Sequence, residues 1–139
     1  MKTVYSELAR VRLGHTNARV AVLKVFLDRP TQHLAVDQVF GYLSEPCSLS
    51  TVYRALSNLL DVGLITGTSI GGGRIVYEFN RGVAHSHLVC RDCGRVCDVD
   101  WPVSTEQYEN YARSQGYSYL NSSLVIFGRC PKCSGGGHR

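Results

Sequence analysis

The sequence predicts an α+β chain: an N-terminal winged helix-turn-helix followed by a small C-terminal α/β unit clipped by four cysteines. Three observations predict it. Residues 16–62 carry three helical apolar periodicities separated by breaks that each contain a proline. Residues 64–79 then read as strand, glycine turn, strand. Beyond Asn80 stand two Cys-x-x-Cys knuckles, Cys90-Arg91-Asp92-Cys93 and Cys130-Pro131-Lys132-Cys133, with 36 residues between them.

Each element follows from local chemistry. The Thr16 hydroxyl can cap a helix running to about Asp28, with Val20, Leu23, Phe26 and Leu27 on its inner face. Arg29-Pro30-Thr31-Gln32 ends it. Val36, Val39, Phe40 and Leu43 follow the i, i+3, i+4, i+7 rule, so a short helix is expected near 35–43. After the turn Ser44-Glu45-Pro46-Cys47, Ser48 or Ser50 caps a third helix that reaches about Val62 and stops at Gly63. Residues 64–68 and 74–79, joined across Gly71-Gly72-Gly73, make the hairpin that serves as the wing. Short strands near 86–90, 95–100 and 118–127 then surround a helix over 104–115, which Gly116 closes; residues 134–139 form a polar tail expected to be loose. The predicted organisation is a DNA-binding domain over 1–80, a hinge at 81–84 and a metal-binding domain over 85–139.

A chain of 139 residues supports two small domains with thin cores, so a metal clip would add much of the stability of the second. A hydrophobic fraction of 44% and eight tyrosines fit a globular protein and exclude a disordered one. No apolar run approaches the roughly 18 residues of a membrane span, and Met1 to Glu7 lack the apolar stretch of a secretion signal. The expected location is therefore the cytoplasm, where cysteines read better as metal ligands than as disulfides. Residues 1–83 hold nine Lys/Arg against six Asp/Glu and residues 84–139 hold six against five. That mild bias permits nucleic acid without requiring it.

On the third helix, Val52, Ala55, Leu56, Leu59 and Leu60 fall on one side, and Ser50, Arg54, Ser57, Asn58 and Asp61 fall opposite, with Tyr53 at the border. Apart from Arg54 the polar face is short-chained, which lets the helix enter a major groove about 12 Å wide. Arg54 can pair with a guanine edge or a phosphate, and Tyr53 can pack on a thymine methyl or bond a phosphate. The same pattern also describes a plain surface helix. The hairpin that follows, with Arg74 and Arg81 on and beside the wing, favours DNA.

Two knuckles complete the tetrahedral sulfur shell that Zn²⁺ accepts, and Gly94 lets the first turn close. A rubredoxin-like or iron–sulfur centre uses similar knuckles, and a disulfide pair is the other reading. His85-Ser86-His87 places two imidazoles on one face of a strand, with Ser86, Leu88 and Cys90 on the other. Asp98 falls on a neighbouring strand, Glu78 ends the wing, and His33 precedes the second helix. Such an O/N set suits Fe²⁺, Mn²⁺ or Zn²⁺; the plainer reading makes these residues solvent-facing. Cys97, alternating with Val99 and Trp101, is expected in the core, and Cys47 half-buried.

Together these residues resemble the ferric uptake regulator family of bacterial repressors, from about residue 10 to 133. Thr16-Asn17-Ala18-Arg19 is similar to its helix start and Ser50-Thr51-Val52-Tyr53-Arg54-Ala55-Leu56 to its reading helix. Its wing, metal strand and closing knuckle are matched at 73–78, 85–94 and 126–133. The resemblance implies a winged helix joined to a C-terminal α/β dimerisation domain, acting as a homodimer on an inverted-repeat DNA operator, with no membrane partner. It implies structural zinc at Cys90, Cys93, Cys130 and Cys133, and a sensory site of His33, Glu78, His85 and His87, with Asp98 as a further ligand or supporting carboxylate. For DNA it implies Tyr53, Arg54, Ser50, Thr51 and Ser57 on the reading helix, with Arg12, Arg19 and Arg74 around it. Two departures stand out. Ala84, Ser86, Thr105 and Ser122 occupy the positions of an additional metal site in some members, so that site is expected to be missing. Gly14 and His15 stand where the family carries a basic residue.

The expected function is a metal-dependent repressor controlling metal homeostasis, and not an enzyme. A zinc deaminase needs His-x-Glu beside Pro-Cys-x-x-Cys, and a four-thiolate zinc has no open position for substrate water. A rubredoxin-like electron carrier would have no use for a reading helix. Among sensors, a ligand set without sulfur puts Fe²⁺ ahead, with Mn²⁺ as its substitute and Zn²⁺ behind. In the resemblance Asp98 marks peroxide sensors and Glu78 iron sensors, so a peroxide-sensing or zinc-uptake regulator is the alternative.

Overall fold

The computed structural model describes residues 3–81, 86–99, 104–120, 122 and 124–135. By internal contacts the chain forms two compact units, Met1–Gly82 and Val83–Arg139. Of the expected hinge, residues 82–84 lie outside the described residues, as does His85.

The first unit contains four helices and a hairpin: α1 Val4–Arg10, α2 Asn17–Asp28, α3 Val36–Tyr42, α4 Leu49–Asp61, β1 Ile65–Gly71 and β2 Arg74–Phe79. The expected helices form where their caps predict. Thr16 accepts from the Arg19 amide at 3.1 Å, and of the two candidate serines Ser48 caps α4, accepting from the Thr51 amide at 3.2 Å. Gly63 ends α4 with a φ of 77°, and Gly71, Gly72 and Gly73 all take the left-handed conformation that closes the wing. Nothing was expected before Thr16, yet α1 forms there, capped by reciprocal 3.0 Å bonds between Thr3 and Ser6. Leu8 drives it, fully buried in one core with Val22, Leu23, Phe26, Val39, Val52, Leu56 and Leu59. Because α2 packs against both α1 and α4, its buried face is wider than expected and includes Val22 and Val25. Cys47 is half-buried against this core, as expected.

Leu34 and Tyr77 form an isolated antiparallel bridge through two backbone bonds of 2.8 Å. That bridge fastens the loop before α3 to the middle of β2.

The second unit holds β3 His87–Cys90, β4 Val96–Asp98, α5 Glu106–Ser114, β5 Val125–Gly128 and a short α6 Pro131–Ser134. The sheet order is β4-β3-β5, with β4 antiparallel and β5 parallel to β3. The strand expected over 118–127 is shorter because β3 offers only four residues to pair, and those meet Val125 to Gly128. Cys97 corrects the sequence expectation: it is exposed, not core. It stands opposite Leu88, itself 45% exposed. The helix α5 buries none of its residues, and Tyr111 is 69% exposed. Among the described residues no helix is long and apolar enough to cross a membrane.

Candidate metal centres and nucleic-acid interface

The four knuckle cysteines converge. Cys90 Sγ lies 3.7 Å from Cys133 Sγ and Cys93 Sγ lies 3.9 Å from Cys130 Sγ, and all four sulfurs fall within 4.8 Å of one another. A regular tetrahedron with Zn–S of about 2.3 Å needs sulfurs roughly 3.8 Å apart, whereas a disulfide needs about 2.0 Å. The spacing fits a metal cage, and all four cysteines are free thiols. The fold sets it in two steps. The first knuckle turns out of β3, its Gly94 amide bonding the Cys90 carbonyl at 2.9 Å. The second opens α6, where Cys130 Sγ caps the helix by accepting from the Cys133 amide at 3.5 Å.

The electrostatics agree. Backbone amides of Cys93 and Cys130 aimed at Cys90 pull its thiol down to about 6. Burial and the three neighbouring sulfurs push Cys133 up. The Arg95 amide pulls Cys93 down, but burial and the Cys90 and Cys130 sulfurs outweigh it. One thiolate is therefore easy, while Cys93 and Cys133 are held back from losing their protons. A divalent cation at the centre would remove that opposition.

The O/N ligands come in pairs, one inside each unit. In the first, the Leu34–Tyr77 bridge carries His33 beside Glu78, with Nε2 and Oε2 3.2 Å apart. Glu78 is 2% exposed. In the second, the β3–β4 register sets His87 directly opposite Asp98, with Nε2 and Oδ1 3.7 Å apart and His87 buried. Each unit by itself thus opposes one imidazole to one carboxylate, the donor set of Fe²⁺, Mn²⁺ or Zn²⁺.

The α4 faces separate largely as read: Val52, Ala55, Leu56 and Leu59 are buried, while Ser50, Tyr53, Arg54, Ser57 and Asp61 are exposed, Tyr53 by 48%, and Leu60 and Asn58 are both half-buried. Thr51 is half-buried, its hydroxyl 2.8 Å from that of Ser48. Arg12 and Arg74 are exposed. Arg19 is half-buried and bonded to Asn58 and to the Gly14 carbonyl. Sequence reasoning had no means of finding that contact, because no local pattern pairs residues 39 positions apart.

Comparison with known proteins places these features in context. The sequence profile of the ferric uptake regulator family matches residues 10–127. A ferric uptake regulation protein of Cupriavidus metallidurans is 30% identical over 130 residues, covering 91% of each chain. The ferric uptake regulator of Francisella tularensis, solved with iron, superposes with a TM-score of 0.75 at 28% identity, covering 88% of this chain and 95% of that one. The ferric uptake regulator of Pseudomonas aeruginosa, solved with manganese, gives 0.74 at 28% identity, covering 94% and 100%.

Proposed function

The chain belongs to the ferric uptake regulator family, and from that premise we propose that it is a metal-dependent transcriptional repressor whose regulatory ion is Fe²⁺, with Mn²⁺ as substitute. The observation that carries this reading is the coexistence of two unlike donor sets: an all-sulfur cage and, within each unit, an imidazole–carboxylate pair. The cage, Cys90, Cys93, Cys130 and Cys133, suits structural Zn²⁺. His33 and Glu78 from one unit, with His85, His87 and Asp98 from the other, are the proposed ligands of the regulatory ion. Those residues contain no thiolate, which favours iron or manganese over zinc. The relatives solved with iron and with manganese support the same choice.

The mechanism follows from ligands lying on different units. When His33 and Glu78 share one ion with His85, His87 and Asp98, that ion would tie the two units into one geometry. In a homodimer that geometry fixes the spacing of two reading helices, and a single spacing fits both halves of an inverted repeat. The exposed α5, none of whose residues is fully buried, supports the dimer. Ser50, Thr51, Tyr53, Arg54 and Ser57 would meet the groove, with Arg12, Arg19 and Arg74 flanking them. Such a protein carries out no reaction and works in the cytoplasm, where its operator lies.

The test is operator binding by protein that keeps its cage zinc but has been stripped of the second ion. Fe²⁺ or Mn²⁺ should restore binding, and His33→Ala, His85→Ala or His87→Ala should abolish the response while cage zinc stays. If Zn²⁺ restores binding at far lower concentration than either, the chain is a zinc-uptake regulator instead. Asp98 opposite His87 favours one second reading, peroxide sensing. It requires peroxide to release the Fe²⁺-loaded protein from DNA while sparing the Mn²⁺-loaded form.

A further inference from the structure

Arg19 lies in the first turn of α2, yet its guanidinium reaches in two other directions. Nε donates to Asn58 Oδ1 on α4 at 3.1 Å, and Nη1 donates to the Gly14 carbonyl at 3.0 Å. Its own amide is held by Thr16 Oγ1 at 3.1 Å. One planar fork therefore joins the loop before α2 to the polar face of α4.

Both ends of that link carry groups suited to a duplex. On the loop, exposed Arg12 takes a left-handed φ of 58°, and His15 presents its ring edge-on to Tyr5 at a centroid distance of 4.8 Å. On α4, Asn58 lies one turn beyond exposed Arg54 and next to exposed Ser57.

Resting on the DNA-binding reading above, we infer that Arg19 is a positioning residue: a brace between Gly14 and Asn58 that holds the Arg12–His15 loop and the reading helix at one offset, so that both engage the same duplex. The shape of the guanidinium matters here more than its charge. A lysine keeps the charge but ends in one ammonium, which cannot span both acceptors in a fixed plane. Prealignment removes an ordering cost that two independent elements would meet on binding.

The test uses the full chain loaded with zinc and Mn²⁺, and a duplex that the wild-type protein itself selects from a random inverted-repeat pool. Arg19→Lys and Asn58→Ala should each weaken specific binding about tenfold, the scale of losing a hydrogen bond to a charged group. The double variant should be no weaker than either single one, since all break the same link, and the salt dependence should not change. A phosphate contact gives the opposite pattern. Arg19→Lys then stays near wild type, Arg19→Ala flattens the log–log salt slope by about 0.9, and Asn58→Ala adds independently; that result overturns the brace. Amide exchange supplies a readout free of DNA. Asn58→Ala should speed exchange at residues 12–16 by about tenfold and leave β1 and β2 unchanged. Unchanged exchange at 12–16 overturns the brace even for a chain that binds no operator. Failure of the metal-loaded wild type to bind any duplex overturns the repressor reading alone.

Discussion

The two units reach stability by different routes. The first has a continuous apolar core drawn from α1, α2, α3, α4 and the hairpin. In the second, the buried hydrophobic residues among those described are Val89 and Cys90, and one of these is a cage ligand. A fold held by oil tolerates polar change at its surface and responds to lost volume. A fold held by a four-sulfur cage responds to the loss of a single atom type. The division also separates surfaces: the oil-held unit presents the polar face of α4, and the cage-held unit presents the exposed α5.

The sharpest way to break this contrast is at the cage. Cys90→Ser or Cys130→Ser should strip one zinc per chain and unfold or monomerise the second unit, since small zinc domains draw about 10 kcal/mol or more from the ion. The first unit should keep its native signals. Metal analysis, sedimentation and amide spectra check this, and a folded dimer with full zinc would refute the assignment. Phe26→Ala, at a fully buried position, should cost about 3–5 kcal/mol in urea unfolding of the first unit and release no zinc. A cost below about 1 kcal/mol would mean the core is not what supports this unit. The smallest effect belongs to the exposed face of α4. Arg54→Ala and Tyr53→Ala should leave melting and metal content alone and weaken operator binding by about 1–3 kcal/mol each. Unchanged affinity in both would remove α4 from the groove.

The contrast also explains which parts were legible in the sequence. Helices α2 and α4 and the hairpin announce themselves because caps, apolar period and glycine turns agree. The knuckles are legible because metal geometry dictates their spacing. The helix α1 was not: its buried residues are Leu8 and Glu7, and a buried carboxylate, bonded by Arg10 at 2.8 Å, breaks the apolar period. Cys97 misled for the reverse reason, since alternation on a short strand says which residues share a face but not whether anything covers it. His87 and Asp98 could be assigned to neighbouring strands, but their direct opposition is a matter of register, which only the paired backbone defines.

The Leu34–Tyr77 bridge has one more consequence. Peptide groups, not side chains, bring position 33 alongside position 78. The arrangement is a socket whose two pins can be exchanged without rebuilding the housing. A thiol or a shorter acid placed at either position would start from the same backbone position, held by the same two bonds. On the proposed assignment of the regulatory ion, preference can drift by single substitutions at these two positions while the exposed face of α4 stays as it is, so kindred chains with one architecture can come to answer to different metals.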